Sequence, residues 1–216
     1  MIHIDNKLFP VWKPTNIRSN LIVEKIRSLY NVKVGHAGTL DPFAEGILLI
    51  CTGNKTKDIS KAQSLTKVYH AKILLGSETN TLDKDGFILK TKCVRNFSKN
   101  ELNEVLSEFV GDILQRPPAF SALKKNSVRL YKLARKGIYI NLLPRKIKIN
   151  SLNLISQHHK SLTVEVSCEK GTYIRCLARD IALRLGTYGH LETLKRVSIG
   201  HYKKDSCLDL NLGTLM

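Results

Sequence analysis

The chain has 216 residues, 43% of them hydrophobic, which fits one globular domain with a substantial core and argues against a disordered protein. Its 35 lysines and arginines against 18 aspartates and glutamates give a formal charge of +17. Folding needs no such excess, so the charge favours a protein that binds a polyanion, with a generally basic proteome as the alternative explanation.

In the first half of the chain, the apolar spacing predicts two helices and a strand. Ser19 or Asn20 is the predicted cap of a helix whose apolar face is Leu21, Ile22, Ile26 and Leu29. A strand is predicted by the alternation of Tyr69, Ala71, Ile73 and Leu75. Ser98 and Glu101 form a predicted capping box before the helical stripe Leu102, Val105, Leu106, Phe109 and Val110.

The second half adds strands and one strong helix. A basic alternating stretch through Ile147 and Ile149 precedes a second alternating set at Leu162, Val164, Val166 and Cys168. The last helix, closed by Gly186, carries the apolar residues Ile174, Leu177, Ala178, Ile181 and Leu185. Because alternation with one polar face favours antiparallel pairing, we expect an α+β fold with a mixed, largely antiparallel sheet and one domain spanning residues 1–216.

Secretion, membrane insertion and metal binding find no support in the sequence. The first residues contain no apolar signal core, and the run Ile47–Cys51 is too short to span a bilayer. The five cysteines are odd in number and form no C-x-x-C pair, and the seven histidines show no ligand spacing. We therefore expect a cytoplasmic protein with no disulfide framework, metal or other cofactor.

The segment from Gly35 to Gly46, GHAGTLDPFAEG, is the most unusual in the chain. Its three glycines allow positive φ angles and a close approach of the backbone to a ligand. Asp41 precedes Pro42, which keeps it out of the α region and on a turn. By itself this pattern is more typical of a structural Asx turn or a helix cap than of a catalytic carboxylate. The G-x-x-G at its start matches the loop of KH domains only weakly, and no P-loop motif is present.

Five segments in register resemble the TruB family of tRNA pseudouridine synthases. The central motif is VGHAGTLDPFAEGIL, residues 34–48, and a K-P segment runs from Trp12 to Ser19. The other similar segments are residues 67–86, a thumb region at about residues 115–145, and a closing block from Lys170 to Arg196. The likeness covers about residues 10–202.

The resemblance implies a pseudouridine synthase fold and a cofactor-free isomerase of uridine in the T-loop of tRNA, at position 55. It implies that Asp41 is the catalytic nucleophile or base, that Tyr69 stacks on the flipped base and takes part in the late proton transfer from C5, and that Arg175 pairs with the carboxylate. Without the resemblance, Tyr69 is as well explained by the core, and Arg175 by a phosphate contact or a solvated helix charge.

The resemblance also implies RNA or substrate contacts at Lys13, His36, Gly38, Thr39, Tyr173, Leu194, Arg129 and Arg135. Lys13 would support the floor of the site, Tyr173 would form a pocket wall, and His36 would stack in the T-loop, although a histidine on a turn is more often a plain hydrogen-bonding group. The basic residues around Arg129 and Arg135 would contact phosphates, where a solvated face is the alternative.

Departures from the family pattern are Asn16 and Ser127 where glycine is usual, Arg18 where threonine or serine is usual, and Glu169 where serine is usual. Bacterial members usually continue into a C-terminal RNA-binding domain, whereas this chain stops fourteen residues after Tyr202, so we expect a monomeric catalytic domain without that extension. The alternatives are a non-catalytic tRNA-binding or folding protein and a synthase of the same fold that acts on rRNA or with a guide RNA.

Overall fold

The computed structural model describes residues 3–209. These residues contain five α-helices, which are α1 (Ser19–Tyr30), α2 (Ile59–Ser64), α3 (Lys99–Ser107), α4 (Leu130–Ala134) and α5 (Ile174–Arg184). They contain thirteen β-strands, which are β1 (Leu8–Lys13), β2 (Val34–His36), β3 (Glu45–Thr52), β4 (Lys67–Leu75), β5 (Ser77–Thr79), β6 (Ile88–Thr91), β7 (Gly111–Gln115), β8 (Lys124–Lys125), β9 (Val128–Arg129), β10 (Arg145–His158), β11 (Ser161–Cys168), β12 (Gly189–Ile199) and β13 (Tyr202–Lys203).

The chain divides into two compact units. Of the described residues, the first comprises 3–70, 167–170 and 194–209. The second comprises residues 71–166 and 171–193. Strands β4, β11 and β12 each contribute residues to both units.

In the first unit, the apolar run Ile47–Cys51, which is too short to span a bilayer, lies in the central strand β3. β3 is buried from Gly46 to Thr52, and both β1 and β2 pair with it in antiparallel fashion. β12 runs parallel to β3 where Lys195 and Arg196 face Glu45 and Gly46. One core cluster joins α1 to these strands through Ile22, Val23, Ile26, Phe9, Val11, Leu48 and Ile50. These residues explain why the amphipathic α1 forms here.

Helix α1 confirms a predicted element but corrects its details. Ser19 is its first residue and not its cap, since the N-cap position is occupied by Arg18 with extended backbone and no side-chain capping bond. Leu29, predicted on the buried face, is 54% exposed, and the buried positions are Ser19, Ile22, Val23 and Ile26. The apolar stripe therefore ends one turn before the helix does.

Replacing Arg18 by serine is expected to stabilise the protein by about 0.5–1 kcal/mol, because a serine hydroxyl at the N-cap accepts a bond from a free backbone N–H. Arg18 makes no such bond. Thermal unfolding followed by circular dichroism measures the effect, with Arg18→Ala as the control. If the serine and alanine variants melt together, no cap has formed.

The alternating strands and the last helix form as predicted. Strand β4 alternates between buried and half-buried positions along its whole length, and β7 pairs with β10 in antiparallel fashion. Helix α5 buries its predicted apolar residues, and Gly186 follows it with φ of +79°, its N–H bonded to the Leu183 carbonyl. A left-handed glycine at this point ends a helix at little cost.

Helix α3 is shorter than its predicted stripe. The Ser98 hydroxyl caps it by accepting from Glu101 N, as predicted, while the Glu101 carboxylate pairs with Arg95. The helix ends at Ser107, and Val110 lies beyond it with 43% of its surface exposed.

The predicted α+β class with a largely antiparallel sheet is confirmed. Among the pairings described above, only that of β12 with β3 is parallel. All five cysteines are free thiols. Within residues 3–209, no helix is both long enough and apolar enough to cross a membrane.

Candidate active site

Asp41 lies on the loop between β2 and β3, and backbone bonds fix the loop on both sides of it. The Ser19 hydroxyl donates to the Leu40 carbonyl and accepts from Leu40 N, each at 2.9 Å. The Pro42 carbonyl accepts from Asn16 N at 2.7 Å. Asp41 itself is half-buried. The carboxylate therefore stands on a preorganised turn that does not depend on its own side chain for these bonds.

Lys13, the residue predicted to support the floor of the site, is fully buried at the end of β1. Its ammonium donates to the carbonyls of Pro14, Ile17 and Pro42 at 2.9, 2.7 and 3.2 Å. Burial lowers the pKa of Lys13 to about 8, although the Asp41 carboxylate acts in the opposite direction. The lysine thus joins the segment that follows β1 to the loop that carries Asp41, and it places a positive charge near Asp41.

Arg196 is the residue that sequence reasoning missed. It was noted only as part of the closing block, yet it is among the largest fully buried side chains, with 1% of its surface exposed. Its Nε donates to the Ile47 carbonyl at 2.7 Å and its Nη2 to the Gly38 carbonyl at 3.0 Å. Its Nη1 lies 3.5 Å from the Tyr69 hydroxyl. An arginine two residues after the apolar Leu194, on the same face of an alternating strand, was the available signal.

Tyr69 has the burial expected of a core residue, and its stacking on a base stays a prediction. It occupies an inward position of β4 and is 9% exposed, as a core residue would be. Its ring centre lies 6.0 Å from the Arg196 guanidinium carbon, in the range of a cation–π contact. Burial raises the pKa of Tyr69 and Arg196 opposes that rise, so the phenol carries its proton at neutral pH.

Four more of the predicted RNA-contact residues lie in the first unit. His36 ends β2 with its Nε2 3.2 Å from the Asn20 side-chain oxygen, and burial followed by the charge of Arg196 lowers its pKa, so that the ring is neutral near pH 7. Gly38 has φ of +108°. Thr39 is exposed, and Leu194 is buried.

Arg175 lies in the first turn of α5, in the second unit, and is buried. Its Nη1 donates to the Thr81 carbonyl at 2.7 Å and lies 3.3 Å from the Asp83 carboxylate, and its Nη2 donates to the Phe120 carbonyl at 2.8 Å. Because Arg175 is buried, it is not a solvated charge on the surface of the helix. Its pairing with Asp41 stays a prediction.

Tyr173 is held just before α5 by its backbone. Gln115, which is buried, accepts from Tyr173 N at 2.8 Å and donates to the Tyr173 carbonyl at 3.1 Å. Burial raises the pKa of the half-buried Tyr173 phenol.

The thumb carries its basic residues on the surface. Arg129 and Arg135 are exposed, and the Arg135 guanidinium lies 5.6 Å from the ring centre of Tyr131. The turn between β8 and β9 has Asn126 and Ser127 at φ of 48° and 65°. The left-handed conformation explains why glycine is usual at the place of Ser127.

No group of three or more histidine, cysteine, aspartate or glutamate side chains within residues 3–209 is arranged to hold a metal ion.

Comparison with known proteins gives consistent similarities. A family model described as TruB family pseudouridylate synthase (N terminal domain) matches residues 26–174. The tRNA pseudouridine synthase B of Hydrogenovibrio crunogenus is 45% identical over 199 residues, which are 92% of this chain and 66% of that protein. The Anaplasma marginale protein of the same name is 40% identical over 201 residues, 92% of this chain and 65% of that protein.

The chain thus spans about two thirds of the length of these relatives. Among solved structures, a Cbf5–Nop10–Gar1 complex contains a chain that matches with a TM-score of 0.74 at 26% identity. That match covers 97% of this chain and 54% of the other.

Proposed function

Because the chain belongs to the TruB family of pseudouridylate synthases, we propose that it isomerises uridine to pseudouridine in tRNA, at the T-loop uridine of position 55. The observation that carries the proposal is Asp41, a half-buried carboxylate on a turn that Ser19, Asn16 and Lys13 hold in place. Preorganisation of this kind lowers the cost of placing a reacting group.

The chemistry breaks the N1–C1′ bond of uridine, turns the base and joins C5 to C1′. The Asp41 carboxylate either attacks C1′ or removes the proton from C2′, and both routes suit a sugar carbon that develops positive charge. Neither route needs redox chemistry, nucleotide energy or a metal ion.

The remaining roles follow from the family pattern. Tyr69 stacks on the extruded base and Tyr173 forms a wall of its pocket, while Arg175 keeps the catalytic carboxylate ionised. His36, Gly38, Thr39 and Leu194 would contact the RNA or the target nucleotide. We infer one monomeric, cytoplasmic catalytic domain.

The test is incubation of the purified chain with a T-arm stem-loop transcript in EDTA, followed by mass spectrometry of the nucleosides. Pseudouridine at the T-loop position is the expected result. Binding without pseudouridine would identify an RNA-binding protein without this activity. Modification of an rRNA fragment in preference to the T-arm would point to the alternative substrate.

Replacing Arg129, Lys132 and Arg135 together by alanine is expected to weaken T-arm binding and flatten its salt dependence. All three are exposed, and each phosphate contact contributes roughly 0.7–0.9 to the slope of log K against log salt. The rate of bound RNA should change little, because phosphate contacts position the RNA without touching the reacting base.

Filter binding at several salt concentrations measures the slope. The matched control replaces Lys84, Lys92 and Lys99, which are also exposed and lie in the same unit. A slope that falls equally in both triple variants would assign the effect to net charge and not to the thumb.

A further inference from the structure

Arg196 brings a permanent charge into the first unit with no counter-ion beside it. The guanidinium is buried, and no carboxylate of residues 3–209 comes within 4.0 Å of it. Its hydrogen bonds go to the carbonyls of Ile47 and Gly38 and reach the hydroxyl of Tyr69. These neutral acceptors satisfy its donors without cancelling its charge. A buried charge left in this state is costly, which calls for a functional explanation.

The backbone of Arg196 lies in a close pairing with Gly46 of β3. A Cβ atom on Gly46 would come within 2.3 Å of the Arg196 carbonyl oxygen, and Gly46 also has φ of +120°. The two strands therefore approach as closely here as glycine permits. Because its backbone lies in this close pairing and its guanidinium bonds to two carbonyls, the arginine provides a preorganised charge.

The positive charge of Arg196 contributes to the pKa of four neighbouring groups, and its contribution has the same sign at each. The Arg196 charge lowers the pKa of Lys13, His36 and Lys67, adding to the effect of burial, and it opposes the burial-driven rise at Tyr69. At each of these groups the Arg196 contribution disfavours a further positive charge or favours a negative one, while burial is the largest cause of the shift. With its Nη1 3.5 Å from the Tyr69 hydroxyl, Arg196 places a fixed positive charge beside Tyr69, and such a charge stabilises a neighbouring anion.

The reaction supplies an anion in both of its routes. When N1–C1′ breaks, the bonding pair goes to N1. If an Asp41 oxygen has bonded to C1′, the carboxylate has become a neutral ester; if Asp41 has taken the C2′ proton, it has become a neutral acid. In both cases one negative charge leaves Asp41 and spreads over the nitrogen and carbonyl oxygens of the uracil.

On the basis of the function proposed above, we propose that Arg196 is a positioning residue whose fixed charge stabilises the departing uracil anion. It acts through Tyr69, on which the base stacks, and through the Gly38 loop that precedes Asp41. Because its hydrogen bonds do not go to the carboxylate, its charge is available when the negative charge moves from Asp41 to the base. Stabilisation of charge that develops during the reaction raises the rate without tightening substrate binding.

The test changes the leaving group. Fluorine at C5 makes the uracil anion more stable, so a 5-fluorouridine T-arm needs less help from the protein. Single-turnover loss of the intact target nucleoside is measured for uridine and 5-fluorouridine in otherwise identical T-arm RNAs. Arg196→Gln keeps a donor for the Ile47 carbonyl, because its amide nitrogen replaces Nε, and it removes the charge. We expect its rate to fall about 100-fold on uridine and only about 10-fold on 5-fluorouridine, with little change in RNA binding.

The matched control is Lys195→Met, which removes the same charge from the neighbouring residue of β12. Lys195 is exposed and bonds to Glu45 at 2.8 Å. This variant should keep the wild-type ratio of the two rates. Equal losses on both RNAs in Arg196→Gln would assign Arg196 to the fold alone and overturn the proposal.

If Arg196→Gln does not fold, Arg196→Lys replaces it, because it keeps the charge and loses the paired hydrogen bonds. The proposal is supported if Arg196→Lys is slower on both RNAs and keeps the wild-type ratio of the 5-fluorouridine rate to the uridine rate. It is overturned if that ratio rises as it is expected to rise in Arg196→Gln. Failure of the function itself is a separate result, since the wild-type chain would then form no pseudouridine from the unmodified T-arm.

Discussion

Replacing Asp41 by asparagine is expected to lower the rate of pseudouridine formation by at least about 10³-fold while leaving T-arm binding close to wild type. Asparagine keeps the shape of the side chain and loses the negative charge, so it neither attacks C1′ nor accepts the C2′ proton. The bonds from Ser19 and Asn16 go to backbone atoms of Leu40 and Pro42, which the exchange leaves in place. Single-turnover kinetics with nucleoside mass spectrometry and filter binding measure the two quantities.

Asp58→Asn is the matched control, because Asp58 lies in the same unit and its carboxylate pairs with the exposed Lys55 on the surface. It should retain full activity. Turnover by Asp41→Asn above about 1% of the wild-type rate would mean that another group performs the chemistry.

Elements with a long and regular apolar pattern were predictable from the sequence. Strand β4 and helix α5 follow their patterns because each buries one continuous face, and Gly186 supplies the left-handed residue that ends α5. The ends of α1 and α3 were not predictable in the same way. Leu29 and Val110 continue the helical spacing but are exposed, since no neighbouring element covers them.

The candidate site was predictable where its residues are adjacent in sequence and not where they meet through the fold. Asp41 stands in an unusual segment, and the resemblance of that segment to the TruB family made it the catalytic candidate. Arg196 bonds to carbonyls 149 and 158 residues away in the chain, and nothing near it in sequence indicates those acceptors. Ser19 was one of two residues predicted to cap α1. Its hydroxyl instead bonds to the carbonyl of Leu40, which is 21 positions away in the chain and directly precedes Asp41.

Two departures from the family pattern also have a backbone explanation. Asn16 and Ser127 have φ of 63° and 65°, and glycine is the usual residue at both places. Asparagine tolerates the left-handed region better than serine does, so Asn16 preserves the turn beside the Pro42 carbonyl at low cost. The strain falls mainly on the thumb turn at Ser127.

Replacing Lys13 by methionine is the second substitution expected to have a large effect. Methionine fills a similar volume but leaves the carbonyls of Pro14, Ile17 and Pro42 without their charged donor. We expect a loss of about 1–3 kcal/mol in the free energy of unfolding, since a buried polar group without a partner costs that much. We also expect a rate about 10²-fold lower, because the turn that carries Asp41 would shift.

Lys67→Met separates these two effects. Lys67 is a second buried lysine of the same unit, its pKa is likewise lowered to about 8 by burial, and its ammonium donates to the carbonyls of Gln63 and Leu65 at the end of α2. Its loss should therefore destabilise the protein by a similar amount. It should leave the single-turnover rate near wild type, because α2 does not hold the Asp41 turn. If the two variants lose stability and activity in the same proportion, Lys13 contributes to the fold and not specifically to the placement of the carboxylate.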